Sequence, residues 1–248
     1  MRIIVNGAKG RMGRCLCDFI ENSEADMTVA AKADRFFTDG REGYGSLNDI
    51  DTEADCIIDF SSHTATKELL DYAMRKKLPL VIATTGQTAE ELLLIAEASK
   101  EIPIFLSGNM SLGVALIAEL AARAAAFLPN ADIEIVEAHH NKKLDVPSGT
   151  ALMIANSVKS QRHEAFLNIG RHENGLRNKN EIGIHSLRYG SEIGDHKVII
   201  STESEVITLE HKAQNRGLFA EGALTAAGYI CTKKNGLFGM REYLNDAT

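Results

Sequence analysis

The sequence lacks the cysteine pattern of a zinc site or of a disulfide-exchange site. Its four cysteines show no C-x-x-C spacing, and each falls within a segment predicted to be a helix or a strand. We therefore expect reduced thiols, as in a cytoplasmic protein, and no bound metal.

An excess of positive charge and a long apolar run are also missing. The formal net charge is −7, which argues against general affinity for nucleic acid or for an anionic membrane. The longest apolar run, near residues 112–128, is interrupted by Glu119 and Arg123 and is too short and too charged to span a bilayer. The first residues enter a strand-like run directly, so no signal peptide is expected. An acidic surface around a locally basic patch suits a small anionic substrate better.

A glycine turn follows the first predicted strand. Residues 3–5 are apolar, residues 7–13 read Gly-Ala-Lys-Gly-Arg-Met-Gly, and a helical pattern then begins. In such a turn Gly7 allows the tight bend, Gly10 lets a pyrophosphate approach the backbone N–H groups, and Gly13 lets helix and strand pack closely. The strand, turn and helix together predict dinucleotide binding.

Asp34 is the acidic residue expected after the second strand. The predicted strand, residues 28–33, ends about twenty residues beyond the turn, where an acid typically accepts the ribose hydroxyls of NAD. Arg35, Lys9 or Arg11 could instead pair with the 2′-phosphate of NADP. The cofactor is therefore expected to be NADH or NADPH. The simpler interpretation of Asp34 is an exposed charge after a strand.

Strands and helices alternate through the N-terminal half. Further strands are predicted at residues 56–60, 80–84 and 102–106. This alternation predicts a parallel sheet with right-handed crossovers. Small polar residues collect at the carboxyl ends of these strands, which is the edge where cofactors bind in such sheets. Thr88 and Glu91 predict a capping box for the helix after the fourth strand.

The pattern changes after a long alanine-rich helix predicted over residues 113–127. Strand-like runs follow at residues 132–137, 182–187, 197–201 and 205–212. One clear helix, at about 150–159, lies among them, and the polar residues 170–180 predict a flexible loop. Several strands with few helices predict a smaller α+β domain with an open mixed sheet.

Helical spacing returns at residues 219–233, and we place this helix back on the first domain. The fold class is therefore α/β, with two domains. A Rossmann-like, parallel-sheet cofactor domain is expected at residues 1–111 and 216–248, and a substrate-binding and oligomerisation domain at residues 112–215. Two crossings between them, near 107–113 and 213–219, would form a hinge that can close over a ligand.

Residues 137–152 carry the side chains that best indicate a chemistry. Two histidines and two lysines lie within five positions: His139, His140, Lys142 and Lys143. A Pro-Ser-Gly-Thr turn then opens a helix, whose start offers unpaired N–H groups and a positive dipole end. A histidine, with an ordinary pKa of about 6.5, can supply a proton near neutrality.

We expect this stretch to bind a small dianion and to protonate it. His139 is the expected proton donor and Lys143 the group that stabilises developing charge. Ser148, Gly149 and Thr150 are expected to take a carboxylate at the helix start.

Several neighbouring side chains keep more than one interpretation. Lys142 is expected to be solvated, and Asp145 either orients Lys143 or caps the turn. His185 and Arg188 either line the substrate pocket or act structurally, and Glu137 is a residue that could tune the cationic group. The remaining histidines are expected at the surface: His163, His172, His196 and His211.

Together these motifs closely resemble the 4-hydroxy-tetrahydrodipicolinate reductase (dihydrodipicolinate reductase) family of bacterial lysine and diaminopimelate biosynthesis, over nearly the whole chain. The His-His…Lys…Pro-Ser-Gly-Thr run is the most specific part of this resemblance. The other parts are the glycine turn at residues 7–13 and the runs at 59–61, 84–86, 109–113 and 181–188.

The resemblance implies a Rossmann-like cofactor domain, use of NADH or NADPH, and a second domain whose sheets join in a homotetramer. It implies His139 as proton donor, Lys143 as a second catalytic group, and His140, Gly149 and Thr150 as ligands of the substrate carboxylates. The cofactor contacts that it implies are Gly7, Ala8, Lys9, Gly10, Arg11, Met12, Asp34, Ala83, Thr84, Thr85, Ser107, Gly108, Asn109 and Met110.

Two positions depart from the family pattern. Tyr189 stands where the family often has glycine, and could narrow a turn or repack a subunit contact. Met110 stands where the family often has a phenylalanine that faces the cofactor, and is a flexible apolar substitute. Neither departure removes a chemical group.

The function expected from this resemblance is reduction of the cyclic imine 4-hydroxy-tetrahydrodipicolinate to tetrahydrodipicolinate, with hydride from the nicotinamide and a proton from His139. One alternative is a Rossmann-type reductase of another amino or imino acid. Another is a non-catalytic dinucleotide sensor, which would leave the cationic cluster without a role.

Overall fold

The computed structural model describes residues 1–23, 26–38 and 40–247, which form two compact units. The first unit comprises Met1–Ser111 and residues 216–247, and the second comprises Leu112–Asn215. Across these described residues, no helix is both long and apolar enough to cross a membrane.

The described residues form eleven strands and seven α-helices. The strands are β1 (Arg2–Asn6), β2 (Thr28–Ala33), β3 (Cys56–Asp59), β4 (Leu80–Ile82), β5 (Pro103–Leu106), β6 (Asp132–His139), β7 (Phe166–Ile169), β8 (Glu181–Arg188), β9 (Asp195–Ser201), β10 (Val206–Lys212) and β11 (Gly236–Phe238). The helices are α1 (Arg11–Glu21), α2 (Thr66–Lys76), α3 (Ala89–Ala98), α4 (Leu112–Phe127), α5 (Gly149–Ser160), α6 (Gly217–Ile230) and α7 (Met240–Ala247).

The first unit is built on a six-stranded parallel sheet in the order β11-β5-β4-β3-β1-β2. Its central strands are short apolar runs that are buried on both faces, as in residues 3–5, 57–58 and 80–82, which are all 0% exposed. Such runs are typical of parallel sheets covered by helices on both sides. The predicted Rossmann-like parallel sheet is therefore confirmed.

Helix α3 begins at the predicted capping box. The Thr88 hydroxyl accepts the Glu91 N–H, and the Glu91 carboxylate accepts the Thr88 N–H. Glu91 also contacts Nδ1 of His63 at 3.0 Å, so the loop after β3 is tied to the start of α3.

The second unit is built on a five-stranded mixed sheet in the order β10-β9-β6-β8-β7. Strands β6, β8 and β7 run parallel, whereas β9 and β10 are antiparallel to their neighbours. Alternate side chains of β6, β8 and β9 are buried together with α4 and α5 in one hydrophobic cluster. The open mixed sheet predicted for this part of the chain is confirmed.

Three short elements were not predicted: β7, β11 and α7. Strand β7 is an edge strand whose four residues are all partly exposed. Strand β11 has only three residues and pairs with β5 at the sheet edge. None of the eight residues of α7 is buried. Elements this short or this exposed carry too little hydrophobic periodicity to be recognised.

Candidate active site

The turn between β1 and α1 requires its glycines. Gly7 has φ +78°, and a Cβ there would lie 2.7 Å from the carbonyl carbon of Phe60. A Cβ on Gly13 would lie 2.1 Å from the Gly7 carbonyl oxygen, so α1 is pressed against the turn. Gly10 is the N-cap of α1 and donates its N–H to Gly7 O at 3.0 Å. The first N–H groups of α1 are thereby held beside the carboxyl end of β1, as a phosphate site needs.

A cavity of about 290 Å³ lies against this turn in the first unit. The predicted cofactor residues that line it are Gly7, Lys9, Gly10, Asp34 and Arg35. Residues that were not assigned to the cofactor also line it, among them Asn6, Ser46 and Glu68, together with Phe60 and Ser61 of the 59–61 run. Asn6, Phe60 and Ser61 end or follow β1 and β3, so their place at a strand end was the available signal.

Asp34 links the end of β2 to the glycine turn. Its carboxylate accepts the Lys9 N–H at 2.9 Å and the Phe36 N–H at 3.1 Å. The Lys9 ammonium donates to Phe36 O at 2.9 Å and lies 4.5 Å from the centre of the Phe37 ring. The exposed Arg35 guanidinium lies over the Phe36 ring at 4.9 Å. An acid and two cations therefore border one cavity, as the sequence suggested.

Asp59, at the end of β3, is a buried carboxylate that was not predicted to take part. It accepts Asn6 Nδ2 at 2.8 Å and the Ser61 hydroxyl at 2.6 Å. Burial raises the pKa of Asp59, and the hydrogen bonds from Ser61 and Asn6 oppose that effect. Asp59 therefore fixes the ends of β1 and β3 relative to each other.

The other predicted cofactor residues follow β4 and β5 or begin α1. They lie outside the described lining of the cavity: Ala8, Arg11, Met12, Ala83, Thr84, Thr85, Ser107, Gly108, Asn109 and Met110. Ser107 donates its hydroxyl to Asn109 O at 2.7 Å and so shapes this loop.

Met110 differs from the expectation of a side chain that faces the cofactor. It is 2% exposed and packs in the hydrophobic core of the first unit. A Cβ on Gly222 of α6 would lie 1.7 Å from the Met110 carbonyl oxygen, so α6 packs directly against this backbone.

In the second unit, β6 ends in a buried Glu137–His139 pair. Nδ1 of His139 lies 2.5 Å from Oε2 of Glu137, and the two residues are 7% and 0% exposed. Both Glu137 oxygens also accept from the Arg188 guanidinium at 2.8 Å. Burial alone would raise the pKa of Glu137, but the hydrogen bonds from His139 and Arg188 outweigh it and hold the pKa well below its ordinary value.

The loop that follows β6 is closed by an ion pair. Lys143 Nζ lies 3.0 Å from Asp145 Oδ1. Burial would raise the pKa of Asp145, but the bonds from Lys143 and from the Gly149 backbone lower it. Asp145 thus orients Lys143, which is one of the two roles left open by the sequence. Lys142 is exposed, as expected, whereas His140 is half-buried and its Nδ1 has no partner among the described residues.

Helix α5 begins where the sequence predicted an anion-binding turn. Ser148 is its N-cap, and its hydroxyl accepts the Ala151 N–H at 3.2 Å. Gly149 is exposed, and a Cβ built on it would meet nothing within 4 Å. Thr150 is half-buried in the first turn. The Ser148 N–H is directed to Glu137 Oε1 at 3.2 Å, which ties the helix start to His139 through one carboxylate.

His196 was predicted to be a surface residue, and this prediction is wrong. It is 3% exposed, and its ring meets that of His139 edge to face, with centroids 5.2 Å apart. Its Nε2 lies 3.3 Å from the Ser148 hydroxyl. Burial, reinforced by the neighbouring His139, lowers the pKa of His196 to about 4. The missed signal was alternation, since His196 shares its side of β9 with the buried Val198 and Ile200.

The other histidines follow their expected positions more closely. His163 and His172 are exposed. His211 is half-buried rather than exposed, and burial lowers its pKa. His185 and Arg188 each pair with a glutamate on β6, which favours the structural interpretation of both.

Neither a metal cluster nor a disulfide was expected. Within the residues that the structure describes, no group of three or more His, Cys, Asp or Glu side chains could hold a metal ion. The four cysteines are free, and Cys231 lies just beyond α6, rather than inside a helix, and is exposed.

Comparison with protein families gives two adjoining matches. The model described as dihydrodipicolinate reductase, N-terminus, matches residues 1–110, and that described as dihydrodipicolinate reductase, C-terminus, matches residues 113–244.

Individual relatives agree with these matches. The 4-hydroxy-tetrahydrodipicolinate reductase of Caldanaerobacter subterraneus subsp. tengcongensis is 44% identical and aligns over 98% of this chain and 97% of its own. That of Clostridium novyi is 40% identical, with 98% of each chain covered. Among solved structures, the dipicolinate-bound dihydrodipicolinate reductase of Paenisporosarcina sp. TG-14 superimposes with a TM-score of 0.80 at 25% identity, over 98% of this chain and 99% of that one.

Proposed function

The chain belongs to the dihydrodipicolinate reductase family, and from this premise we propose that it reduces 4-hydroxy-tetrahydrodipicolinate to tetrahydrodipicolinate. The reductant is a nicotinamide dinucleotide, NADH or NADPH, and the reaction belongs to lysine and diaminopimelate biosynthesis. The observation that carries the proposal is the cluster at the end of β6. There a histidine with a fixed Nδ1 lies beside a capped helix start, which suits a small dicarboxylate that must be protonated.

We assign the cofactor to the first unit. Gly7 and Gly13 leave no room for side chains, and the cavity beside them is bordered by Asp34, Lys9 and Arg35. These features fit a dinucleotide, with the pyrophosphate at the N-terminus of α1 and a ribose at Asp34. When bound, the nicotinamide supplies the hydride.

We assign the substrate to the second unit. Lys143 and the α5 start at Gly149 and Thr150 bind the carboxylates, with His140 beside them. Ser148 was expected to join them, but it is 1% exposed and its N–H and hydroxyl bond Glu137 and Ala151, so it caps the helix instead. His139 supplies a proton from Nε2 to the charge that develops when the conjugated imine is reduced. The Lys143 side chain is 23% exposed, so its ammonium can leave Asp145 and pair with a substrate carboxylate that enters from solvent.

The decisive assay is cofactor oxidation with freshly generated 4-hydroxy-tetrahydrodipicolinate. Aspartate semialdehyde and simple imines serve as comparison substrates. Turnover confined to the cyclic imine supports the proposal. Turnover of the comparison substrates alone points to another Rossmann-type reductase, and dinucleotide binding without any turnover points to a sensor.

Both cofactors should be titrated in the same assay. The cations at Lys9 and Arg35 suit a 2′-phosphate, and Asp34 suits the free ribose hydroxyls, so use of both cofactors is expected. In Arg35→Ala the KM for NADPH should rise more than that for NADH, because the guanidinium can pair only with the added phosphate. An equal rise in the KM for both cofactors would show that Arg35 does not recognise the 2′-phosphate.

We also propose that the protein is a homotetramer joined through the second unit. The mixed sheet and its edges leave apolar side chains exposed, namely Phe166, Ile169, Leu187 and Val206, and a second copy of this chain would cover them. Light scattering on the purified protein tests this, and a monomer would contradict it.

A cytoplasmic location likewise stays a prediction.

A further inference from the structure

The carboxylate of Glu137 is buried in the second unit and is bound at both of its oxygens. The residue is 0% exposed. Oε2 accepts from Arg188 at 2.8 Å and lies 2.5 Å from His139 Nδ1, while Oε1 accepts from Arg188 at 2.8 Å and from the Ser148 N–H at 3.2 Å. A buried carboxylate with this set of donors is held in one place and in its ionised form.

This arrangement determines which nitrogen of His139 can exchange a proton. An ionised carboxylate can only accept, so Nδ1 of His139 must carry hydrogen. Nε2 is therefore the nitrogen that gains and loses a proton. It lies on the Gly194 side, 3.2 Å from where a Cβ on Gly194 would be, so a side chain at that position would crowd it.

The groups around the Glu137–His139 pair come from several segments. Arg188 is on β8 and His196 on β9, and Lys143, which acts on His196, lies with its partner Asp145 in the loop after β6. The lowered pKa of His196 leaves that ring neutral at pH 7. Glu137 is the carboxylate that contacts the His139 ring directly.

We propose that Glu137, held in place by Arg188, is the positioning residue that gives His139 its Nδ1–H tautomer and so leaves Nε2 to transfer the proton. The inference rests on the proposed function in one respect, namely that His139 is the proton donor. Glu137 itself does not touch the substrate. Carboxylates that orient a catalytic histidine act in this way in other enzymes, where the wrong tautomer costs several orders of magnitude in rate.

Strand β6 supplies a matched control. Glu134 also pairs with a histidine and an arginine, with His185 Nε2 at 2.9 Å and Arg177 Nε at 3.0 Å. Glu134→Gln therefore makes the same chemical change to the same kind of cluster, away from His139.

The first experiment is the steady-state kinetics of the wild type, Glu137→Gln, Glu137→Asp and Glu134→Gln. In Glu137→Gln we expect kcat to fall by about 100-fold or more, because the amide can donate to Nδ1 and so favour the wrong tautomer of His139. The substrate KM should change little.

The conservative variant and the control test the acceptor role. Glu137→Asp keeps a carboxylate that can only accept but is one methylene shorter, so it should recover part of the kcat that Glu137→Gln loses. Glu134→Gln should leave kcat unchanged. A Glu137→Gln enzyme with wild-type kcat, or an equal loss of kcat in Glu134→Gln, overturns the proposal.

The second experiment reads the unaltered protein, and a folded variant is needed only to assign the signals. Nitrogen-15 NMR of labelled histidines reads the tautomer of neutral His139, whose signals are assigned by their loss in His139→Gln. A proton on Nδ1 supports the proposal, and a predominant Nε2–H tautomer overturns it. This measurement needs no substrate, so it decides the role of Glu137 even if the wild type fails to reduce the cyclic imine and the proposed function falls.

Discussion

Strand β6 carries two glutamates, each of which is paired with a histidine and an arginine. In the first cluster, Glu134 pairs with His185 and Arg177, and the Glu134 and His185 side chains are 27% and 36% exposed. In the second, Glu137 pairs with His139 and Arg188, and the Glu137 and His139 side chains are 0% and 9% exposed. The residue types are the same, so any difference in behaviour arises from burial and geometry.

The two clusters also use opposite histidine nitrogens. Glu134 contacts Nε2 of His185, whereas Glu137 contacts Nδ1 of His139. In the first cluster Arg177 binds the carbonyl oxygens of Ile133 and Glu181 as well, so it ties the loop before β8 to β6. In the second, the donors converge on one carboxylate beside a helix start. We infer that the first cluster stabilises the sheet and the second prepares a proton donor.

The largest expected difference between the clusters concerns their histidines. His139→Gln should lower kcat by about 100- to 10,000-fold, because the proposed proton donor is lost, while dinucleotide binding is retained. His185→Gln, the matched change in the other cluster, should keep kcat near the wild-type value. Steady-state kinetics with a fluorescence titration of NADH measures both. Comparable losses in the two variants would remove the functional distinction between the clusters.

Replacing the glutamate should lower the free energy of unfolding more in the second cluster than in the first. Glu137→Ala leaves Arg188 and His139 without their buried anion and should lower the free energy of unfolding by about 3 kcal/mol or more. Glu134→Ala removes a partly exposed pair and should cost about 1 kcal/mol or less. Urea unfolding with an unchanged m-value gives both numbers. If Glu134→Ala proved as costly as Glu137→Ala, burial would not be the property that distinguishes the clusters.

The stability of the second cluster should depend on pH through His196, a buried neutral histidine that packs against His139. Its pKa is lowered from 6.5 to about 4 in the folded state. Between these values the unfolded chain binds a proton that the folded protein does not. The contribution of His196 to the free energy of unfolding is therefore greatest above about pH 6.5. It decreases by up to about 3 kcal/mol as the pH falls to 4.

In His196→Gln this part of the acid destabilisation should disappear, so the midpoint of thermal unfolding should depend less on pH between 6.5 and 4. The same substitution at the exposed His163 is the control. An unchanged pH dependence in His196→Gln would show that the ring is not held neutral by its surroundings.

The smallest expected effect concerns the two adjacent lysines near the second cluster. Lys143, which is paired with Asp145, should be the one that meets substrate, so Lys143→Ala should lower kcat/KM by about tenfold, the effect of one charge-assisted hydrogen bond. The exposed Lys142→Ala should retain kcat/KM. Initial-rate measurements at several substrate concentrations distinguish them. A larger loss of kcat/KM in Lys142→Ala than in Lys143→Ala would show that Lys142 is the lysine that binds substrate.

Much of the first unit could be predicted because its information is local. The apolar strands, the glycine turn and the Thr88–Glu91 capping box each lie within a few adjacent residues, and both sheets were recognised from alternation and element order. Strand β7, strand β11 and helix α7 were missed because short or exposed elements have weak periodicity. The side chain of Met110 was expected to face a cofactor, and its burial depends on the packing of α6, which is distant in sequence.

The sequence by itself determined which chemical groups are available, since His139, Lys143 and the Ser-Gly-Thr helix start are close neighbours along the chain. Only the tertiary structure decided how those groups are held. The register of the mixed sheet sets Glu137 opposite His196 on β9 and His139 opposite Arg188 on β8. Strand pairing joins residues far apart in the chain, and burial of a charge depends on every element around it. For that physical reason the neutral ring beside His139 and the arginine that holds Glu137 could be found only in the folded protein, whereas Glu137 itself, two residues before His139, was already a candidate in the sequence.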